Sequence, residues 1–103
     1  MKNVADFKRE LIEGRTVKMV HHVEFKGRDE KGIAIYGDAQ PVERKVKKVF
    51  STQVCFETPE GKESWIQFPK ASKCIIQDNK VTYLEEDHRV ANKPLIPLLT
   101  YIL

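Results

Sequence analysis

Cysteine is scarce in this sequence, with only two residues among 103, Cys55 and Cys74. Cys55 lies between Val54 and Phe56, and Cys74 precedes Ile75, so both thiols are predicted to be buried among apolar side chains and to stay reduced. Apolar surroundings raise the pKa of a thiol and make it less reactive. The sequence therefore predicts neither a disulfide framework nor a catalytic cysteine.

Long apolar runs are absent as well. No stretch approaches the roughly 20 apolar residues that a membrane-spanning helix needs. The N-terminal sequence MKNVADFKRELIEG carries charges throughout, whereas a signal peptide has a charged start followed by an apolar run. These two absences predict a protein without a membrane segment or a signal peptide, located in the cytoplasm.

Motifs for metal, phosphate or cofactor binding are also missing. Neither C-x-x-C nor H-x-x-H occurs, and a zinc site needs four well-placed ligands. His21 and His22 are neighbours in a predicted strand and point to opposite faces; His21 falls on the apolar side, where we expect a half-buried, hydrogen-bonded ring. His88 lies in the charged segment EEDHR, and the glycines of residues 27–37 precede no predicted helix. The sequence predicts no metal, no cofactor and no enzymatic activity.

Positive charge is present but not dense. The chain has 18 Lys and Arg against 15 Asp and Glu, a formal charge of +3 and a pI near 8.9. The most basic segment is ERKVKKV, with the candidate contact residues Arg44, Lys45, Lys47 and Lys48. Lysines along a strand can follow a phosphate backbone, with Trp65 or Tyr83 as a stacking platform. Lysines also protect strand edges from pairing with other chains, so the segment fits both interpretations.

Length and composition predict one domain, residues 1–103, that begins with a helix. Hydrophobic residues make up 41% of the chain, enough for one core. Residues 3–14 show apolar positions at helical spacing, with Asn3 as the N-terminal cap and Gly14 as the stop. A helix of this length must pack on another element to be stable.

From residue 16 to residue 103 the pattern indicates antiparallel strands. The segment TPEGK and residues 78–79 are the strongest hairpin signals. In VERKVKKVF, the apolar residues Val42, Val46 and Phe50 are predicted to share one face. The expected fold class is α+β, with the N-terminal helix packed on a bent antiparallel sheet. A small Tudor- or Sm-like β-barrel is the finer expectation.

An insertion interrupts the strands at residues 26–41, KGRDEKGIAIYGDAQP. It is long for a bare connection in a domain of this size. Its part GIAIYG has the character of a short strand, which would make the insertion a protruding hairpin. Two interpretations follow from the sequence: a solvated surface excursion, or a partner-contacting finger that carries Tyr36.

Trp65, the only tryptophan, lies in the segment ESWIQFPKAS. Strand alternation places it on the face opposite Ile66 and Phe68. If the N-terminal helix covers that face, Trp65 belongs to the core, which is the interpretation we favour; otherwise it has the character of a binding hot spot. FPKAS is predicted to be a short helical turn between two strands, with Pro69 at its first position and Lys70 as a candidate contact.

The motif W-x-x-F-P-K-A-S, Trp65 through Ser72, is followed by DNKVTYLE and PLLTYIL and preceded by RKVKKV. This arrangement resembles uncharacterised small proteins carried by phages and prophages of Gram-positive bacteria. The resemblance covers most of the chain, with residues 26–41 as a departure, and brings no catalytic residue with it. It implies a protein that binds and redirects a host machine or neutralises a defence system.

These observations predict a non-enzymatic interaction module of phage or prophage origin that binds a host or defence-system macromolecule. Its candidate contacts are Trp65, Tyr36, Lys70 and the Arg44–Lys48 strand. The alternative is a small β-barrel nucleic-acid-binding protein. A third hypothesis is a homo-oligomer that pairs through the C-terminal strand LLTYIL and binds a small signalling nucleotide at its interface.

Overall fold

The computed structural model describes residues 1–103 as one short helix and nine strands. The helix is α1 (Val4–Glu10). The strands are β1 (Thr16–His21), β2 (Glu24–Arg28), β3 (Ala34–Gly37), β4 (Val42–Val49), β5 (Gln53–Glu57), β6 (Glu63–Gln67), β7 (Cys74–Gln77), β8 (Lys80–Glu86) and β9 (Leu95–Ile102). One turn of 3-10 helix, Ala71–Lys73, lies between β6 and β7. The fold is mainly β with one helix, which confirms the α+β class.

Seven strands form one antiparallel sheet in the order β6-β5-β4-β1-β9-β8-β7, and β2 and β3 form a separate hairpin. The strands β6 and β7 lie at opposite edges of this sheet, yet only residues 68–73 join them. Such a connection spans at most about 25 Å, so the sheet must bend strongly. The Tyr83 hydroxyl on β8 donates a hydrogen bond of 3.1 Å to the carbonyl of Gln67 on β6. No backbone ladder joins β6 to β7, so the sheet is open and a closed barrel is not confirmed.

The C-terminal strand β9 lies in the interior of the sheet. Its residue Tyr101 is paired with Met19 of β1 on one side and with Val81 of β8 on the other. Both backbone edges of residues 99–102 of β9 are therefore occupied within the chain, and the expectation that LLTYIL is an edge strand open to pairing between subunits is wrong. An apolar strand pattern reports burial but not which strands lie beside it, since strand order is set by long-range pairing.

Helix α1 begins at a side-chain cap and ends earlier than predicted. The Asn3 side chain accepts a hydrogen bond of 2.9 Å from the backbone N–H of Asp6. Leu11 leaves the helical region, with φ −83° and ψ 83°, and its side chain is buried. Gly14 lies beyond the helix at φ +88° and donates its N–H to the carbonyl of Val46 at 2.8 Å. The predicted helix of residues 3–14 is thus too long at its C-terminal end.

The core lies between α1 and one face of the sheet, which we call the inner face. Phe7 is 0% exposed and contacts the rings of Phe68, Tyr83 and Tyr101 at centroid distances of 6.0, 6.5 and 6.3 Å. Phe56 stacks on Tyr101 at 5.0 Å. Burial raises the pKa of the Tyr83 and Tyr101 hydroxyls. The other buried residues of this cluster are Leu11, Val17, Met19, Val46, Val54, Val81 and Leu99.

A β-bulge in β4 changes which of its residues reach the core. The register with β5 shifts between Val46 and Lys48, which inserts one extra residue into β4. Val49 therefore packs against the core as Val46 does, and Phe50 stacks on Trp65. The prediction that Phe50 shares the face of Val46 is wrong, because a bulge reverses the side-chain alternation that follows it.

The strands β2 and β3 form a hairpin that spans Glu24–Gly37 and so begins two residues before the insertion predicted at residues 26–41. At its tip the Asp29 carboxylate accepts two backbone N–H bonds of 2.9 Å, and Gly32 takes a positive φ of +80°. Nearer the sheet, Phe25 and Tyr36 are cross-strand partners with ring centroids 6.0 Å apart. The base of the hairpin lies against the outer face of the sheet, the face opposite α1.

Candidate functional site

The structure does not bring the predicted contact residues together in one site. Those on the outer face of the sheet are Lys45, Lys47, Lys48 and Trp65. Arg44 pairs with the buried residue Val17, so its side chain lies on the inner side. Lys70 is exposed in the connection from β6 to β7, and Tyr36 lies on the hairpin. The basic strand therefore places its lysines on the outer face of the sheet and its arginine on the inner side.

The outer-face group is organised around two aromatic rings at one edge of the sheet. Trp65 is 50% exposed and stacks on Phe50, with ring centroids 5.2 Å apart and an interplanar angle of 30°. The Lys48 ammonium lies 5.2 Å from the centroid of Phe50. We call these three residues, together with strand β6, the aromatic edge.

The position of Trp65 decides between the two sequence-based interpretations of this residue. Ile66 and Phe68 pack against the core, as strand alternation predicts. Helix α1 lies on that same inner face, where Phe7 contacts Phe68. The expectation that the helix covers Trp65 is therefore wrong, and half of the indole surface faces solvent.

Strand β6 has unpaired backbone groups along its outer side. It pairs only with β5. In an antiparallel pair, hydrogen-bonded and non-hydrogen-bonded residue pairs alternate. The bonds from Phe68 N–H to the Thr52 carbonyl and from Thr58 N–H to the Lys62 carbonyl show which pairs are the hydrogen-bonded ones. In that alternation Ser64 and Ile66 bond to β5, whereas the backbone groups of Glu63, Trp65 and Gln67 point away from it.

One of these outward groups is already occupied, because the Gln67 carbonyl accepts the bond from Tyr83. The N–H and C=O groups of Glu63 and Trp65 have no partner within the chain. The aromatic edge thus combines an exposed indole with free backbone donors and acceptors.

Charge around the aromatic edge is mixed. The Lys47 ammonium lies 2.6 Å from a Glu63 carboxylate oxygen, and this contact lowers the pKa of Glu63 and raises the pKa of Lys47. Lys45 is the cross-strand partner of Glu57. The Cys55 thiol is buried beside Glu63, and burial raises its pKa, as the sequence predicts. Carboxylates therefore offset much of the positive charge that the segment ERKVKKV carries.

A second concave surface, the hairpin cleft, lies between the β2–β3 hairpin and the outer face of β1, β8 and β9. Its volume is about 670 Å³. The lining residues are Val20, His22, Val23, Tyr36, Asp38, Lys80, Thr82, Arg89, Ile96, Pro97, Thr100 and Ile102. The cleft therefore has a sheet side on which apolar residues alternate with the hydroxyls of Thr82 and Thr100, and charged groups on the hairpin side and at its ends.

A chain of hydrogen bonds crosses the hairpin cleft. His22 Nδ1 lies 2.7 Å from the Asp38 carboxylate, His22 Nε2 lies 2.7 Å from Thr100 Oγ1, and Thr100 lies 2.9 Å from Thr82 Oγ1. An ionised carboxylate only accepts, so Nδ1 carries the proton toward Asp38, and in the neutral ring Nε2 accepts from the Thr100 hydroxyl. The chain ties the hairpin to the sheet and fixes the orientation of the imidazole.

The two neighbouring histidines have the reverse of their predicted environments. His21 is exposed at the end of β1, beyond the last residue that pairs with β4. His22 is the half-buried and hydrogen-bonded one, because the hairpin returns Asp38 to the outer face of the sheet. Alternation gives the face of each histidine correctly but cannot predict that an insertion covers the outer face.

Arg89 closes one side of the hairpin cleft. Its guanidinium carbon lies 4.6 Å from the centroid of the Tyr36 ring. Its Nε and Nη2 donate to the two carboxylate oxygens of Asp87 at 2.8 and 3.3 Å, and these bonds lower the pKa of Asp87. The local sequence Asp-x-Arg could have suggested this pair. Nothing in the sequence links Asp38 to Thr100, which is 62 positions away along the chain.

Comparison with known proteins adds no homologue to this geometry: no protein-family model, curated protein or solved structure matches the chain. No group of three or more His, Cys, Asp or Glu side chains is arranged to hold a metal ion. None of the helical segments has the length and apolar character required to cross a membrane. The aromatic edge and the hairpin cleft are therefore the two candidate functional surfaces of the molecule.

Proposed function

We propose that the protein is a non-enzymatic interaction module that binds a partner protein at the aromatic edge. The observation that carries this proposal is Trp65, which is half exposed and stacked on Phe50 at a strand edge with free backbone groups. Tryptophan is enriched among the residues that dominate binding energy at protein interfaces. A rigid, pre-stacked indole also loses little conformational entropy when a partner covers it.

The mode of binding that fits this edge is the addition of a strand. An extended segment of the partner would pair with the free N–H and C=O groups of Glu63 and Trp65 and would pack one of its side chains against the indole. The mixed charges of Lys47, Lys48 and Glu63 at the rim suit a protein segment with both signs of charge better than a polyanion.

The biological context of the proposal comes from the sequence resemblance to small phage and prophage proteins. On that basis the partner is a host or defence-system protein in the cytoplasm of a bacterial host, and binding would redirect or block it. The resemblance includes Trp65 itself, the first residue of W-x-x-F-P-K-A-S. The resemblance assigns no role to any residue, so a contact role of Trp65 is supported by its exposure and its stacking on Phe50.

Trp65→Ala tests the proposal against a matched control, Ile75→Ala. Ile75 is 52% exposed and lies on β7, the opposite edge of the same sheet. Partners captured from host lysate by the wild-type chain are identified, purified and titrated against both variants. We expect Trp65→Ala to weaken binding by at least about 30-fold, and Ile75→Ala to leave it unchanged. Equal affinity of both variants would refute the aromatic edge as the interface.

Hydrogen exchange tests the strand-addition mode separately. In the free protein the amides of Glu63 and Trp65 should exchange fast, and those of Ser64 and Ile66 slowly, because only the latter bond to β5. On addition of the purified partner, the Glu63 and Trp65 amides should become protected. A complex that depends on Trp65 but leaves both amides fast would show side-chain docking without strand pairing.

The second candidate function is nucleic-acid binding by a small, barrel-like fold. The observation in its favour is the Phe50–Trp65 stack with the Lys48 ammonium over Phe50, since stacked rings beside a cation suit an unpaired base and its phosphate. The pairing of Lys47 with Glu63 weighs against it. If the function is correct, labelled single-stranded DNA or RNA binds at low salt with a steep salt dependence. Lack of binding by every oligonucleotide at low salt would exclude it.

A further inference from the structure

We infer that the hairpin cleft binds a small phosphorylated ligand that carries a planar ring, the class to which nucleoside monophosphates belong. This inference does not rest on the proposed function, because β4 and β5 separate the strands of the cleft from β6. It rests on the size of the cleft, on two cationic groups that line it and on the apolar, aromatic and hydroxyl groups beside them.

The volume and build of the cleft fit a small organic molecule. Its volume of about 670 Å³ lies within the range of known ligand sites, roughly 300–1,000 Å³. On its sheet side Val20, Ile102 and Pro97 present apolar groups beside the hydroxyls of Thr82 and Thr100, and Tyr36 of the hairpin also lines the cleft. Apolar groups and an aromatic ring beside hydroxyls suit a ligand with a planar ring and polar substituents.

Arg89 provides a pre-oriented group for an anion. Two of its nitrogens are held by Asp87 and its plane lies over Tyr36, so the side chain is fixed without a ligand. Its Nη1 makes no hydrogen bond within the chain and remains available to a phosphate oxygen. Lys80, which also lines the cleft, forms no salt bridge. Lys80 begins β8 and Arg89 lies beyond its other end, about 20 Å away along the strand, so these two cations lie at opposite ends of the cleft and a single phosphate contacts one of them.

The hydrogen-bonded chain in the cleft supplies polar recognition. Thr82 and Thr100 lie side by side as partners on β8 and β9, and His22 holds Thr100 from the hairpin side. Hydroxyl groups at this position suit the exocyclic groups of a base or the hydroxyls of a sugar. Asp38 is the one carboxylate that lines this cleft. Its negative charge repels an anionic ligand, and its Oδ1 is hydrogen-bonded to His22.

Isothermal titration with AMP, GMP, CMP and UMP tests the inference, with the corresponding nucleosides as controls. We expect at least one monophosphate to bind, and its nucleoside to bind at least about tenfold more weakly, since the charged contacts are lost. A 5′-phosphorylated oligonucleotide distinguishes a free ligand from a chain end. Failure of all four monophosphates and of the oligonucleotide to bind at millimolar concentration would overturn the inference.

Four variants locate the site. Arg89→Gln and Lys80→Ala remove the cations at the two ends of the cleft, and one of them should weaken binding about tenfold, whereas Lys62→Ala, an exposed lysine in the β5–β6 turn, should leave it unchanged. Asp38→Asn keeps an acceptor for His22 but removes the negative charge that repels an anion, so it should strengthen binding. Unchanged affinity in both Arg89→Gln and Lys80→Ala, or weaker binding in Asp38→Asn, would contradict an anion site in this cleft. Trp65→Ala should not change the affinity.

Discussion

At the scale of single residues, the ring of Phe7 is the centre of the core. It is 0% exposed and contacts three aromatic rings that come from the β6–β7 connection, β8 and β9. We expect Phe7→Ala to lower the free energy of unfolding by about 3–5 kcal/mol, because it leaves a cavity under the helix. Phe25→Ala, at a ring that is 55% exposed on the hairpin, should cost at most about 0.5 kcal/mol. Denaturant unfolding measures both, and similar losses would mean that α1 is not docked as described.

Residue-level prediction from the sequence succeeded where it depended on alternation within one strand. It identified Ile66 and Phe68 as inward-facing. The separate prediction that both thiols are buried, which rested on their apolar neighbours, holds for Cys55, whereas Cys74 is only half-buried. It failed for Trp65 and His22, because in both cases the decisive fact is what lies over the outer face of the sheet. Alternation assigns a face, whereas the element that covers the face is chosen by tertiary packing.

At the scale of elements, the β5–β6 turn depends on the backbone of Gly61. Its φ is +85°, and a Cβ at this position would meet no atom within 4 Å, so any cost of Gly61→Ala comes from the backbone alone. We expect that cost to be about 1 kcal/mol. Gly37 in β3 has no positive φ, and its Cβ would make an ordinary contact of 3.6 Å with Lys26. Gly37→Ala should therefore change stability by less than about 0.5 kcal/mol in thermal or denaturant unfolding. Equal costs at the two glycines would rule out the conformational explanation.

Turn chemistry made several elements predictable. The hairpins at TPEGK and at residues 78–79 and the helical turn near FPKAS occur where the sequence indicates them, although the 3-10 turn starts at Ala71, two residues after Pro69. The bulge in β4 and the central place of β9 were not predicted. Gly and Pro act on their own neighbours, whereas a bulge and a strand order depend on partners distant in sequence.

At the scale of the whole molecule, the bent sheet separates stability from the two proposed binding surfaces. The helix and the aromatic core occupy the inner face, and the aromatic edge and the hairpin cleft both lie on the outer side. The cleft exists because the β2–β3 hairpin lies over the sheet; His22 and Asp38 flank this hairpin, and His22 also contacts Thr100 of β9. The hairpin thus builds a surface that was not predicted from the sequence, since no local pattern encodes a contact between the hairpin and β9.

The charge pairs of the molecule predict how stability depends on pH. Hydrogen bonds to Arg89 lower the pKa of Asp87, the contact with Lys47 lowers that of Glu63, and a backbone hydrogen bond from Lys2 lowers that of Asp6. A carboxyl whose pKa is lower in the folded state stabilises the fold above its unfolded pKa, so this contribution is lost as pH falls below about 4. Buried Cys55 and Tyr83, whose pKa values are raised, act in the opposite direction: the unfolded chain loses the thiol proton first above about pH 8.5 and the phenol proton first above about pH 10, so stability falls above about pH 8.5.

Unfolding free energy should therefore be highest and nearly constant between these limits and should fall on both sides. Asp87→Asn removes one of the lowered carboxyls, so its stability relative to the wild type should be reduced at pH 7 and should converge with it as pH falls toward 3. The exposed residue Glu30, which forms no salt bridge, provides the matched control Glu30→Gln, whose curve should stay parallel to the wild type. Urea titrations across the pH range measure all three curves. If the difference in unfolding free energy between Asp87→Asn and the wild type stays constant from pH 7 to 3, the charge of Asp87 does not contribute to stability. The Asp87–Arg89 ion pair would then not be what orients Arg89 in the hairpin cleft.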